Sequence, residues 1–251
     1  MKRLLKIFAV TAFWLLVWEG LALLVGQELL LPAPAAVLRR LVELAATAEF
    51  WRTVGYSLLR IVCGVLGAVV MGTALAVLTV RSRLAKTLLR PPLAVIKATP
   101  VASFIILALL WMGRDILPAF ISALVVLPVV WTNVETGIRE TDGELLEVAR
   151  VFRFSKAKTV ARVYVPSVLP YFASACRASF GMGWKAGIAA EVLTVPLVSI
   201  GKRIYESKLY WETADLFAWT VVVILCSLAI EKLLMAAVAR FERRGTEAAR
   251  D

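Results

Sequence analysis

Long apolar runs bounded by short cationic segments constrain this chain more than any other feature. A membrane-crossing helix needs about 20 mainly apolar residues. The stretches 7–26, 54–80, 92–112, 116–134, 164–193 and 213–239 meet that need; the third carries Lys97 and Pro100, and the fourth Pro128. Hydrophobic residues make up 61% of the chain, above the roughly 45–50% of soluble domains. The expected fold is therefore an all-α membrane protein, a single transmembrane domain over 1–251 with six transmembrane helices. The first run is too long for the core of a cleaved signal peptide, and Gly26-Gln27-Glu28 behind it is a poor cleavage site.

Charge sets the expected orientation. There are 29 Lys+Arg against 18 Asp+Glu. In a soluble protein that surplus suggests nucleic acid, but here the cations sit mainly between apolar runs, so topology is the better reading and no nucleic-acid partner is expected. With the N-terminus inside, the inner segments hold Lys2, Arg3 and Lys6; Arg81, Arg83, Lys86 and Arg90; Arg139, Arg150, Arg153, Lys156, Lys158 and Arg162; and Arg240, Arg243, Arg244 and Arg250. The outer segments hold fewer: Arg39, Arg40, Arg52, Arg114, Lys202, Arg203 and Lys208. Short cytoplasmic loops carry the Lys/Arg excess, so six spans with both termini cytoplasmic fit, and five do not. The tail after Arg240 is expected to fray.

Several chemistries are excluded early. The chain has no His, which removes imidazole catalysis, the common zinc sites and the usual pH switch. Cys63, Cys176 and Cys226 are far apart, each in an apolar run, and read as packing residues. Outside, segment 34–51 places Val37, Leu38, Leu41, Val42, Leu44 and Ala45 at helical spacing around Arg39, Arg40 and Glu43, the pattern of a helix lying at the interface. Segment 196–211 carries Tyr205, Tyr210 and Trp211, suited to the aromatic zone.

The polar segment 140–163 is too charged for lipid. Leu145, Val148, Ala149 and Phe152 fall at i, i+3, i+4 and i+7, one apolar face of a short helix, with Arg150, Arg153, Lys156 and Lys158 around it. Such a helix either rests on anionic lipid headgroups or docks a soluble partner and passes its movement to the flanking spans.

At these residues the chain resembles a known family. Glu147-x-Ala149 followed by Val163-x-Val165-Pro166 is similar to the EAA loop of permease subunits of binding-protein-dependent ABC importers. The usual form is Glu-Ala-Ala, a Gly four residues on, and Ile-x-Leu-Pro ten residues after that. Spacing is kept, but Arg153 stands where the Gly is expected. Gly there permits a turn with φ > 0; Arg resists it. Within the family the chain is most like the nitrate/sulfonate/taurine type. Leu31-Pro32-Ala33-Pro34 with Val37-Leu38, Lys97-Ala98-Thr99-Pro100 with Leu110-Trp111-Met112-Gly113, and Ala190-Glu191-Val192-Leu193 with Ile200-Gly201 and Asp215 carry that likeness.

The resemblance implies a type I importer permease of MetI-like architecture in a bacterial inner membrane, paired with a second permease copy as a homodimer. It implies ATPase subunits docked at Glu144, Leu145, Glu147, Val148, Ala149, Arg150, Phe152, Arg153 and Pro166, and an external substrate-binding protein. ATP and Mg belong to the partner ATPase and no cofactor to this chain, which has no Gly-x4-Gly-Lys-Ser/Thr loop; Pro196 stands where a first Gly would precede Gly201-Lys202. The solute is expected to be a small anion such as a sulfonate or nitrate, or a vitamin-precursor-like molecule.

Charges within spans are costly and call for a functional hypothesis. Arg177, Gly181, Trp184, Lys185 and Glu191 are the candidates for a translocation pathway, Lys185 and Arg177 favouring an anion. The structural alternative pairs Arg60 and Lys97 with carboxylates of neighbouring helices, or lets them snorkel, and gives Gly183 and Gly187 a packing role. Two other functions remain open. One is a stand-alone, ion-coupled secondary transporter or channel. The other is a membrane enzyme, disfavoured by the lack of a nucleophile with a base partner.

Overall fold

The structure, a computed structural model, describes residues 2–248; Lys2, Arg3, Arg240, Arg243, Arg244 and Arg250 lie outside the described side chains. Among the described residues the chain is helical throughout its regular structure: α1 Lys2–Val25, α2 Pro34–Ala45, α3 Ala48–Arg81, α4 Arg83–Ala98, α5 Val101–Ala108, α6 Leu117–Arg139, α7 Gly143–Val151, α8 Lys156–Thr159, α9 Val165–Thr194, α10 Ile200–Leu209 and α11 Thr213–Ala248. Four of them (α1, α3, α6 and α11) are long and apolar enough to cross a membrane, five if the bent pair α4 and α5 counts as one span. The fifth expected span, α9, is thirty residues long but is not among these, because Arg177, Lys185, Glu191 and its small residues dilute its hydropathy.

The expected span over 92–112, which carries Pro100, is broken. α4 and α5 meet at 106°. Pro100 offers no N–H and forces the residue before it out of the helical region; Thr99 is accordingly extended at φ −78° and ψ 127°. The Thr99 hydroxyl donates to the Val95 carbonyl at 2.7 Å, closing the last turn of α4. At the other end of the chain the expected fraying after Arg240 is not seen: α11 continues to Ala248.

The chain divides into two units, Met1–Leu58 with Val195–Cys226, and Leu59–Thr194 with Ser227–Asp251. In the first unit, segment 34–51 is helical in two pieces. Pro34 opens α2, where its missing N–H costs nothing. Thr47 then separates α2 from α3: its hydroxyl donates to the Leu44 carbonyl at 2.7 Å and accepts from the Phe50 amide at 3.2 Å. Arg40 of α2 makes a two-pronged bond to the Asp215 carboxylate at the start of α11, the second prong at 3.0 Å, and reaches Glu43 at 3.0 Å. The Asp215 bond holds the Arg40 guanidinium more firmly protonated than an ordinary arginine. Arg203 bonds Glu49, the Ile200 amide donates to the Ser57 hydroxyl at 2.9 Å, and Phe50 stacks on Trp219 at 5.2 Å. A polar cavity of about 470 Å³ lies among Arg40, Glu49, Arg203, Tyr210 and Asp215.

The second unit is built around the pairing of α6 with α9, its most extensive helix contact. Small residues let backbones approach, the usual device where lipid removes the hydrophobic drive between helices. A Cβ at Gly64 would land on the Ala119 carbonyl oxygen; one at Gly183 would lie 2.7 Å from Val126 and 2.9 Å from Val65; one at Gly187 would meet Ser122 and Ile61. Gly183 and Gly187 therefore pack α9 against α3 and α6, as the structural reading of their spacing expects. Buried Trp131 donates its indole N–H to the Thr79 hydroxyl at 3.1 Å, pinning α6 to α3.

Candidate functional site

α7 is a nine-residue helix whose two ends are both specified locally. Asp142 caps its start, accepting from the Glu144 amide at 2.8 Å. Its far end closes in a Schellman turn: the Arg153 amide donates to the Arg150 carbonyl at 2.9 Å, and the Phe154 amide to the Ala149 carbonyl at 2.8 Å. That turn needs a left-handed residue, and Arg153 supplies it at φ 50°. The bend expected at the usual Gly position is thus present with Arg in its place. Two hydrogen bonds hold Arg153 there, and Lys158 sits 4.1 Å over the Phe154 ring. The left-handed region costs an L-residue about 1–2 kcal/mol, and Gly gives back about 0.5–1 kcal/mol of that in chain entropy. Arg153→Gly is therefore expected to stabilise the turn by up to about 1 kcal/mol. Hydrogen exchange at the Phe154 amide should slow, by about fivefold at most.

The apolar face of α7 splits. Leu145 and Val148 are half exposed and Phe152 is 70% exposed, with Val151 beside them at 79%. Ala149, placed on the same face by its spacing, is 3% exposed and lies on the inner side, as does Val163 of the Val-x-Val-Pro stretch. Glu144, Glu147, Arg150 and Arg153 are exposed and rim the apolar row. Beyond the turn, Ser155 caps α8, and α8 runs through a π-helical segment, Val160–Tyr164, into α9. Pro166 accounts for the widening: it lacks an N–H, and its ring would strike the carbonyl four residues back in a regular helix. The Val165 amide bonds the Val160 carbonyl instead, five residues back. α8 is thus joined to the thirty residues of α9 by an uninterrupted helical rod, and the Schellman turn fixes α7 to the start of that rod.

α9 separates the pathway candidates. Arg177 and Lys185 are exposed and Gly181 is half-buried, whereas Trp184 and Glu191 are fully buried. Ser174, Ala178, Lys185 and Ala189 form an exposed small and polar stripe, and Lys185 makes no ion pair among the described residues. Glu191 accepts from Arg60 of α3 at 2.9 Å; the same guanidinium lies 3.6 Å from Asp115 in the turn before α6. Arg60 thus follows the structural alternative. Its partner could not be read from spacing, since 131 residues separate the pair. The Arg40–Asp215 pair was missed altogether, although a cation interrupting the apolar face of α2 was its signal.

These features define a multi-pass helical membrane protein. The model of the family described as binding-protein-dependent transport system inner membrane component matches residues 64–246, and the chain belongs to that family. It is 27% identical over 223 residues to the Bacillus subtilis protein named SsuC for aliphatic sulfonates transport, covering 88% of this chain and 79% of that one. It is 29% identical over 160 residues to CmpB of Synechococcus elongatus, named a bicarbonate transport system permease protein, covering 63% and 57%. Both relatives agree with the nitrate/sulfonate-type resemblance. A crystal structure of an amino acid ABC transporter shares the fold, with a TM-score of 0.56 at 18% identity over 77% of this chain and 90% of that one. The chain is accordingly an ABC transporter permease component of the inner membrane, a transport protein.

Proposed function

We propose that this chain forms the translocation pathway of an ATP-driven importer for a small anion and draws its power from ATPase subunits that grip α7. One observation carries the reading: in a permease of this family, α7 leaves Leu145, Val148 and Phe152 uncovered while Ala149 fixes its opposite side. A short rigid helix with an apolar row and a charged rim is a docking element. Joined through the π-helical segment to α9, it is a lever: a displacement at α7 moves the span that carries Arg177, Gly181 and Lys185. ATP binding on the partner then shifts two global states of the permease by differential contact at α7. ATP and Mg are the partner's. The chain crosses the membrane six times, α4 and α5 serving as one bent span and α9 as the fifth, with both termini cytoplasmic. It acts as a homodimer fed by an external binding protein.

The anion rests on Lys185, exposed and unpaired on the small-residue stripe of α9, with Arg177 on the same helix. The names of the relatives, sulfonate and bicarbonate, fit that charge. The test is uptake in proteoliposomes holding this chain with its ATPase subunits and binding protein. Uptake should require ATP and vanish when the ATPase is left out; uptake by the lone chain on an ion gradient would establish the secondary-transporter alternative. Lys185→Ala should lower anion uptake at least about tenfold, the equivalent of about 1.4 kcal/mol in a barrier. Unchanged rate and selectivity would remove Lys185 from the pathway.

A further inference from the structure

Two apolar clefts flank the end of α3 in the second unit. One, of about 660 Å³, runs along Val134, Ile138, Val168 and Leu169. The other, of about 710 Å³, runs along Val69, Val70 and Leu78. Both are also lined by Thr73, Val77, Arg81 and Phe172, so they lie on either side of one strip of α3. Among the described residues Arg81 is the one charged residue lining either cleft. It is the last residue of α3, exposed, and makes no ion pair among the described residues.

We propose that this is a binding site for a two-chain anionic phospholipid, its phosphate on Arg81 and one acyl chain in each cleft. The surface matches the ligand in kind: two open, adjoining apolar clefts that share one lining cation. A guanidinium at the end of a membrane helix keeps its stem on apolar surface and its fork at the headgroup layer, where it pairs with phosphate in two-pronged fashion. A second copy of this chain would have to bring two apolar ridges and a carboxylate to the same spot; a phospholipid carries all three elements. The site also touches the drive train. Val160, Tyr164 and Val165, from the π-helical segment and the start of α9, line the larger cleft. A chain lodged there packs against the widened turn between α7 and α9, which makes the lever sensitive to the lipid.

The test is native mass spectrometry of the full chain in neutral detergent, titrated with dioleoyl-phosphatidylglycerol, dioleoyl-phosphatidylcholine, one-chain lysophosphatidylglycerol and inorganic phosphate. Phosphatidylglycerol should be retained in preference to phosphatidylcholine by at least about fivefold, the weight of one cation at a charged headgroup layer, and lysophosphatidylglycerol should be held more weakly than the two-chain lipid. Arg81→Gln should abolish the headgroup preference, and Arg83→Gln should leave it. Leu169→Trp, which fills one cleft, should weaken both two-chain lipids alike. Arg81 is exposed, so its replacement leaves packing intact; an unaltered thermal unfolding temperature checks this. Equal retention of the two headgroups, a preference that survives Arg81→Gln, or displacement of the lipid by inorganic phosphate would overturn the proposal. So would a dimer that Leu169→Trp splits without changing lipid retention.

Discussion

Arg60→Met should be among the most damaging single substitutions in the chain. It leaves the Glu191 carboxylate, 0% exposed, without the guanidinium that compensates it. Removing one partner of a buried ion pair costs about 3–5 kcal/mol, because the remaining charge keeps its desolvation penalty and loses its attraction. Two features place this case toward the upper end. Arg60 is itself only 13% exposed, and it also serves Asp115 at 3.6 Å, so one side chain holds α3 to α9 and to the turn before α6. The pair is not expected to be worth that much in itself. An apolar replacement of both partners is often neutral, so Arg60→Met with Glu191→Met should recover most of the loss. Thermal unfolding in detergent reads both. A double variant as unstable as the single one would assign the damage to lost packing rather than to the stranded charge.

Phe152→Asp should uncouple the transporter without unfolding it. Phe152 is 70% exposed, so the substitution costs the isolated chain little; surface changes usually stay within about 0.5 kcal/mol. In the proposed docked complex the same ring is the large aromatic that closes the C-terminal end of the apolar row. Truncating an aromatic anchor costs about 2 kcal/mol or more, and placing a carboxylate there adds a desolvation penalty. ATPase recovery with the chain should fall by a factor of about 30 or more, and ATP-driven uptake with it. Ala149→Leu provides the contrast. Ala149 is 3% exposed, so a larger side chain overpacks the base of α7 at about 1–3 kcal/mol. It should lower the unfolding temperature as well as coupling. One variant thus fails at the interface and the other in the fold.

How much of this was legible in the sequence differs by element. Membrane helices are read from composition because every backbone polar group must be satisfied within the segment; α1, α3, α6 and α11 follow directly. α7 was legible because its row of apolar residues is local. Which side of it faces out was not, since Ala149 is apolar and on the same face by spacing; only the packing of Val163 and its neighbours decides that. Pro100 was visible inside the expected third span, but the break it makes and the 106° between α4 and α5 were not read from it. Arg153 shows the reverse case. Single-residue preference argues against a left-handed Arg, yet the Schellman bonds to Arg150 and Ala149 over-determine the turn. The charges of α9 stand out in the sequence because they interrupt an apolar run. Their sorting into buried Glu191 and exposed Lys185 required Arg60, a residue remote in sequence.

The central claim, that α7 is the surface the ATPase holds, is tested most directly by site-specific cross-linking. Single cysteines at Leu145, Val148 and Phe152, and controls at Lys202 and Tyr210 of the α10 region, would be placed in a chain cleared of Cys63, Cys176 and Cys226. The chain would be co-expressed with its ATPase subunit. The account predicts cross-links from the three α7 positions, altered in yield by ATP, and none from the α10 controls. Cross-links from the controls, or none from α7 in a complex that still transports, would contradict it.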